Sequence, residues 1–261
     1  MADKSKKRPK VAAVCGKGGV GKTSISAYII KLLLEERAGK ILAIDADPAI
    51  GLATALGIQP HKTIDDIRNE LIGRVESGKG GDREGIIEHL DYEVFDALEE
   101  RGDLAFLAIG RPEKEGCYCQ VNDFLREIIE SAAKSFDYVV IDGEAGIEQV
   151  NRRVMERVTH LILISDASAR GINVARTIQS VAEKAMSYDT VGLILNRIRS
   201  RAEIDGIKLP GEIQYLGWVP ESDAIRMCDI NGQSVFDIDE DTALAAVRRC
   251  IENVIMGTSK N

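Results

Sequence analysis

A glycine-rich segment near the start of the chain limits its fold more than any other feature of the sequence. It reads Gly16-Lys17-Gly18-Gly19-Val20-Gly21-Lys22-Thr23 and directly follows a short apolar run at residues 11–15. Its glycines allow a tight turn and leave backbone amides open to an anion at the start of the helical pattern that follows. The segment therefore predicts a strand, an anion-binding turn and a helix, in that order.

Short runs rich in Val, Ile and Leu recur along the chain, and helical patterns separate most of them. The runs lie at residues 11–15, 41–45, 104–109, 138–142, 161–165, 191–195 and 213–217, and the helical patterns at 24–36, 121–135, 147–158 and 169–186. Nearly continuous apolar runs are typical of strands buried on both faces, and their alternation with helices predicts a mainly parallel sheet. We therefore expect an α/β fold with helices on both faces of a central sheet and a ligand site at the carboxyl ends of its strands.

The length of 261 residues fits one large domain as easily as two small ones, so length alone does not divide the chain. We expect a flexible basic tail at residues 1–9, a single domain at 10–257 and a short tail at 258–261. The charged stretch at 61–102, broken by glycines at 78, 80 and 81, is interpreted as an insertion rather than a second domain. Residues 241–256 have helical spacing that fits a membrane-surface helix or a docked terminal helix, and their few lysines and bulky aromatics favour the docked helix.

Composition narrows the possible partners. The 42 acidic and 34 basic residues give a net charge of -8, which argues against a nucleic-acid partner. No apolar run approaches the roughly 18 residues that span a bilayer, and the lysine-rich start lacks a signal-like apolar segment, so we expect a cytoplasmic protein without stable membrane association. The five cysteines do not suggest a disulfide framework.

The glycine-rich loop fits two kinds of nucleotide site. A dinucleotide turn would use Asp45, at the end of the second strand, to hold a ribose. Lys22 and Thr23 favour a nucleoside triphosphate instead, because a phosphate loop needs a cation on the β and γ phosphates and a hydroxyl on Mg²⁺. We therefore predict a P-loop NTPase that binds ATP or ADP through residues 16–23 and Ser24.

Carboxylates follow two of the predicted strands. Asp142 ends the run at 138–142 and fits either a Walker B acid near Mg²⁺ or a helix N-cap. Asp45 and Asp47 lie one residue apart at another strand end, where a cation would balance their charge. The sequence thus predicts a magnesium region formed by Thr23, Asp45 and Asp142.

The segment after the run at 191–195 bears on the nucleotide base. It resembles a guanine-reading N-K-x-D element, but Arg199 occupies the position of its aspartate, which favours ATP over GTP. Asn196 retains an amide that offers the adenine edge both a donor and an acceptor.

These motifs together resemble the deviant Walker A ATPases, which include MinD, the ParA partition ATPases and nitrogenase iron protein. The resemblance rests on Lys17 in the loop, on Asp45-Ala46-Asp47-Pro48 and on Asp142-Gly143-Glu144-Ala145-Gly146, and it covers essentially the whole chain. It implies catalytic roles for three residues: Lys22 on the phosphates, Lys17 reaching the partner's phosphates across a nucleotide-sandwich homodimer, and Asp47 orienting the attacking water. Hydrolysis should then require dimerisation, because a trans lysine acts as an arginine finger does.

A Cys-x-Cys element, Cys117-Tyr118-Cys119, follows the run at 104–109. Residues two apart in an extended segment point to one side, so both thiolates can bind one ion. Two thiolates fill half of a four-coordinate Zn²⁺ or Ni²⁺ site, and a two-fold dimer would supply the rest. Buried or redox-active cysteines are the alternative. Cys15, Cys228 and Cys250 lack a partner at ligand spacing.

Within the class, this element resembles the CooC-type accessory ATPases that insert nickel into carbon monoxide dehydrogenase and acetyl-CoA synthase. The resemblance implies a homodimer formed on nucleotide or metal binding, and a nickel metalloenzyme as client. Two alternatives remain: a MinD- or ParA-like spatial regulator without a metal site, and an iron–sulfur carrier or reductive activator. The second is weakened because the chain has no cysteine near Asp142 to match the second cluster ligand of nitrogenase iron protein.

Overall fold

The strands of the computed structural model form one eight-stranded, mostly parallel sheet in the order β3-β4-β2-β5-β1-β6-β7-β8. The structure describes residues 8–77, 83–111, 119–143, 150 and 154–256. The strands are β1 (Lys10–Gly16), β2 (Ile41–Asp45), β3 (Glu99–Arg101), β4 (Leu104–Ala108), β5 (Tyr138–Asp142), β6 (Arg157–Ser165), β7 (Ser187–Ile198) and β8 (Gln214–Pro220). Among the strands in the described ranges, only β3 pairs antiparallel, with β4 at the edge of the sheet.

Helices cover both faces of this sheet. They are α1 (Lys22–Glu35), α2 (Gly51–Leu56), α3 (Ile64–Glu76), α4 (Arg83–Asp96), α5 (Cys119–Ala133), α6 (Ala169–Ala185), α7 (Asp223–Asn231) and α8 (Thr242–Ile251), the last followed by a π-helical turn at Glu252–Met256. None of the described helices is both long and apolar enough to cross a membrane.

Alternate residues of each central strand divide the core into two layers. In β1, Ala13 and Cys15 face the layer with α3, α4, α5 and α6, whereas Ala12 and Val14 face the layer with α1, α2, α7 and α8. Both layers bury the strands, which explains why the central runs are apolar at every position rather than at every second one. The expected α/β architecture, a mainly parallel sheet flanked by helices, is confirmed.

Several predicted boundaries need correction. The helix expected at 147–158 cannot extend that far, because Arg157 and Val158 already belong to β6, while residues 147–149 and 151–153 lie outside the described part. β3 was not predicted, since its charged sequence lacks a strand pattern. The terminal helix is docked as expected: α8 buries Leu244 and Val247 against the sheet.

Candidate nucleotide site

The glycine-rich loop lies between β1 and α1, where two of its glycines are required by their surroundings. A Cβ on Gly16 would lie 2.2 Å from the carbonyl oxygen of Ile164 in β6. Gly21 has φ +88°, and a Cβ there would lie 2.5 Å from Asn196 Nδ2. Lys22 is buried and its Nζ donates to the carbonyl oxygen of Lys17 at 3.4 Å, so the loop curls around its own lysine. A glycine-rich loop at the start of a helix is suited to bind an anion, because the first N–H groups of a helix have no intrahelical partner.

Side chains at the end of β7 brace the loop from outside. Asn196 Nδ2 donates to the carbonyl oxygen of Val20 at 2.8 Å, and Arg197 Nη1 donates to that of Gly19, also at 2.8 Å. Arg197 has φ +62°, a left-handed conformation that is uncommon for a non-glycine residue. These two bonds fix the loop shape without a nucleotide.

Asp142 lies beneath the loop and offers an oxygen to a cation. Its Oδ1 accepts the Ser26 hydroxyl at 3.0 Å, and the nearby Thr23 hydroxyl acts to lower the pKa of this carboxylate. Its Oδ2 is buried and has no hydrogen-bond partner among the described residues. Burial raises the pKa of Asp142 to about 6. A buried carboxylate with a free oxygen beside a threonine hydroxyl fits Mg²⁺, whose preferred ligands are oxygen atoms.

Asp45 has a different environment from Asp142, with which it was predicted to form the magnesium region. It is paired in register with Asp142 on the neighbouring strand, and both of its oxygens accept backbone N–H groups. Oδ1 accepts from Asp47 at 3.1 Å, and Oδ2 accepts from Leu52 at 2.8 Å and Ala53 at 3.4 Å. Burial and then the nearby Asp142 raise the pKa of Asp45 to about 7. Asp45 therefore holds the start of α2 in place beside the predicted magnesium region.

The segment from Asp47 to α2 follows a strained path next to Thr23. Asp47 Oδ1 accepts the backbone N–H of Ala49 at 2.9 Å, which makes a tight turn. Ile50 then adopts φ +52°, which is rare for a β-branched residue. A Cβ on Gly51 would lie 3.5 Å from Thr23 Cγ2, so this turn packs directly against the magnesium region. Strained backbone of this kind is concentrated at functional sites.

Lys17 is half-buried and turned along its own subunit. Its Nζ lies 3.5 Å from Asp166 Oδ2, in the turn that follows β6. Asp166 Oδ1 in turn accepts the backbone N–H of Ser168, the residue whose hydroxyl caps α6. The lysine predicted to reach a partner's phosphates is thus held by an intramolecular ion pair in the single chain.

A cavity of about 170 Å³ opens beside the loop. Two residues predicted to bind nucleotide, Ser24 and Asn196, lie on its wall. The remaining lining residues are Arg197, Pro220, Glu221, Ser222, Ile225, Arg226 and Asp229. Arg199, the residue from which the preference for ATP was argued, is not among them, and it pairs with Glu221 at 2.8 Å. The sequence motif that contains Arg199 therefore includes only part of the residues that line this cavity.

The structure describes only part of the predicted thiolate site. Cys117 lies outside the described residues, and Cys119 is known only as the first residue of α5. Within the described ranges, no group of three or more His, Cys, Asp or Glu residues is arranged to hold a metal. Cys15, Cys228 and Cys250 are buried and free, and burial raises the pKa of all three, that of Cys15 to about 12. They stay protonated and are poor metal ligands at neutral pH.

Several residues of the site were not predicted. Asp166, Glu221 and Ser222 follow β6 and β8 directly, so the rule that identified Asp45 and Asp142, polar residues at carboxyl ends of parallel strands, would also have found them. Ile50 gave no comparable signal, because nothing in an isoleucine predicts a left-handed backbone.

Comparison with known proteins places this site in a family. Residues 11–235 match the family described as the CobQ/CobB/MinD/ParA nucleotide binding domain. An uncharacterised ATP-binding protein of Methanocaldococcus jannaschii is 36% identical over 233 residues, covering 88% of this chain and 92% of the relative. The carbon monoxide dehydrogenase accessory protein CooC of Rhodospirillum rubrum is 28% identical over 255 residues, covering 93% and 96%.

Solved structures agree on the fold. The septum site-determining protein MinD of Pyrococcus horikoshii, complexed with Mg-ADP, has a TM-score of 0.65 at 22% identity, covering 94% of this chain and 96% of that one. MinD in the MinC:MinD complex of Aquifex aeolicus has a TM-score of 0.68 at 22% identity, covering 97% of each chain. The predicted enzyme class, a P-loop ATPase of the MinD and ParA type, is confirmed at the level of the family. The chain belongs to the CobQ/CobB/MinD/ParA family of nucleotide-binding domains.

Proposed function

We propose that the chain is a dimerising, Mg²⁺-dependent ATPase that carries a soft metal ion and helps to load a client metalloenzyme. The observation that carries the ATPase part is the buried Asp142 oxygen without a partner, directly below the loop that bears Lys22 and Thr23. A buried carboxylate oxygen without a hydrogen-bond partner costs free energy, and a bound cation would compensate it.

Each predicted residue has a role in this proposal. The loop amides and Lys22 hold the phosphates, while Thr23 and Asp142 hold Mg²⁺, with Asp45 fixing the adjacent turn. The bound ion would neutralise charge on the phosphates. Asp47, at the turn before α2, orients the attacking water.

Lys17 completes the site from the other subunit. To do so it must leave Asp166, so dimer formation and release of that ion pair are one step.

The cargo is proposed from the thiolates and the relative. Cys117 and Cys119 supply two soft ligands, and CooC, a carbon monoxide dehydrogenase accessory protein, is similar over almost the whole chain. We propose Ni²⁺ or Zn²⁺ as the ion carried, and a nickel enzyme of the carbon monoxide dehydrogenase or acetyl-CoA synthase type as the client. The metal is cargo, and the nucleotide drives its delivery.

Calorimetric titration of Ni²⁺ and Zn²⁺ tests the cargo. We expect one ion per dimer in the wild type and loss of tight binding in the Cys117→Ala, Cys119→Ala double variant. A Cys228→Ala, Cys250→Ala variant is the matched control, because it also removes two thiols but only buried ones. Binding as tight in the first variant as in the wild type would contradict the metal-carrier proposal.

The second candidate is a spatial regulator, favoured by the similarity of the fold to MinD structures. A regulator would keep the ATP site and have no need for Cys117 and Cys119. The titration separates the two functions. An anaerobic absorption spectrum distinguishes both from an iron–sulfur carrier, which would be coloured and oxygen-sensitive.

A further inference from the structure

One carboxylate joins three helices behind the cavity beside the glycine-rich loop. Asp241 Oδ1 accepts the backbone N–H of Ala243 at 3.0 Å and so caps α8. Its Oδ2 accepts the hydroxyl of Ser222 at 2.7 Å and also the hydroxyl of Tyr28. Tyr28 belongs to α1, and Ser222 is the N-cap of α7.

The partners of Asp241 have little freedom to move. Tyr28 is completely buried, and burial together with its hydrogen bond to Asp241 raises its pKa, so the phenol stays protonated and donates. Ser222 Oγ accepts the backbone N–H of Ile225 at 3.1 Å while donating to Asp241. Its hydroxyl therefore has one orientation, fixed from both sides.

Ser222 also lines the cavity beside the loop. Pro220, Glu221, Ser24 and Asn196 line the same cavity. The pairing of β7 with β8 holds residues 220–222 beside Asn196, and the backbone N–H of Glu221 donates to the carbonyl oxygen of Ile198 at 3.2 Å. The loop has separate contacts to Asn196 and Arg197. Asp241 connects the wall at residues 220–222 to α1 through Tyr28, and α1 begins at the loop.

We infer that Tyr28 and Asp241 are positioning residues for the nucleotide base, acting through Ser222 to hold one wall of the cavity. The inference rests on the proposed nucleotide site and names what sets its affinity for the base rather than for the phosphates. Neither residue is among those that line the cavity. Because the loop has its own bracing, loss of this junction weakens base contacts and leaves phosphate contacts in place.

Comparison of two ligands tests whether the junction affects base contacts and not phosphate contacts. Mg-ATP has both base and phosphates, whereas Mg-tripolyphosphate has phosphates alone. We expect Tyr28→Phe and Asp241→Asn each to raise the Kd for ATP by about 3- to 10-fold, the range of one or two hydrogen bonds, and to change the Kd for tripolyphosphate by less than about 2-fold. The KM for ATP should rise with the Kd, with kcat nearly unchanged.

Two further variants keep the test independent of folding. Ser222→Ala should behave like Tyr28→Phe, and Ser222→Thr, which keeps the hydroxyl, should restore most of the affinity for ATP. Ser234→Ala is the matched control: it removes a hydroxyl that caps the short helix Val235–Asp237, away from the cavity. It should bind both ligands as the wild type does.

The outcomes separate this inference from the proposed function. Equal weakening of ATP and tripolyphosphate would place the effect on the loop and overturn the inference, as would unchanged ATP binding in Tyr28→Phe and Asp241→Asn. A wild-type chain that binds neither ligand would remove the nucleotide site itself and the inference with it.

Discussion

At the scale of single residues, the two lysines of the loop have opposite environments. Lys22 is buried and bonds the loop backbone, whereas Lys17 is half-buried and bonds Asp166 near the surface. A buried cation inside the loop is part of the phosphate cradle, while a cation held by a breakable surface ion pair can change partners. These environments fit the two separate roles proposed for the lysines.

This difference predicts different defects in the two alanine variants. Lys22→Ala should weaken ATP binding at least about 100-fold, because a charge-assisted contact to the phosphates is lost in a desolvated site. Lys17→Ala should keep binding within about 3-fold and lose nearly all turnover. Nucleotide titration beside an ATPase assay measures both, and equal loss of binding would contradict the trans role of Lys17.

The two buried carboxylates predict how stability depends on pH. The folded-state pKa of Asp45 is about 7 and that of Asp142 about 6, both above the value of 3.8 for an unperturbed aspartate. A raised pKa means that the folded state binds the proton more tightly than the unfolded state. The free energy of unfolding that the two protonated carboxyl groups contribute is therefore complete below about pH 4 and is lost as the pH rises toward 7.

Without Mg²⁺ the protein should therefore lose on the order of 3 kcal/mol of unfolding free energy between pH 5 and pH 8. Added Mg²⁺ should restore more stability at pH 8 than at pH 5, because it binds the ionised carboxylates. Asp142→Asn should reduce the pH dependence of the metal-free profile, leaving the part that burial of Asp45 causes, and should abolish the Mg²⁺ effect. Denaturant unfolding in chelator and in Mg²⁺ would reveal this, and parallel profiles for the variant and the wild type would refute it.

At the scale of secondary-structure elements, the sequence could predict only the helices and strands that have a pattern among residues close together in the chain. The central strands were predictable because they are apolar at every position, and α1 because a glycine loop precedes it. β3 was not, since Glu99, Glu100 and Arg101 become a strand only by pairing with β4. Its conformation depends on tertiary contact, which no local pattern records.

The residues of the site likewise divide into those that a local motif predicts and those that depend on tertiary contact. Thr23, Asp142 and Ser24 could be placed from motifs, because each lies at a fixed offset from a strand end or a glycine. The Lys17–Asp166 pair and the Tyr28–Asp241 junction join positions more than a hundred residues apart. A single sequence carries no signal for such pairs.

The start of α1 offers a test of how tightly the loop is specified. In the nucleotide-free protein, Gly21→Ala should cost roughly 1–3 kcal/mol, because the backbone is left-handed and the added Cβ meets Asn196. Gly18→Ala is the control, since its Cβ would have nothing within 4 Å. Chemical denaturation without nucleotide provides the comparison, and equal destabilisation by both substitutions would argue against the described loop conformation.

At the scale of the whole molecule, the proposed dimer connects ATP hydrolysis with metal binding. Both Lys17 and the Cys117–Cys119 element are incomplete in one chain: the lysine is proposed to act on the partner's phosphates, and two thiolates fill half a metal site. A two-fold axis would complete both. Nucleotide and metal would then favour the same dimeric state, and each must tighten the other by an equal factor.

The last prediction follows from that equality. A coupling of ~1–3 kcal/mol corresponds to roughly a 5–150-fold lower Kd for Ni²⁺ when ATP is bound. Asp47→Asn should show the coupling most clearly, because loss of the water-orienting carboxylate slows hydrolysis and retains the ATP-bound dimer. Calorimetric titration of Ni²⁺ with and without ATP, together with ATP titration with and without Ni²⁺, gives the two factors.

Lys17→Ala should reduce both factors together, since its dimer contact is lost. One ion per monomer, or a Kd for Ni²⁺ that ATP does not change, would show that the thiolates act without the dimer and would separate metal binding from the ATPase cycle.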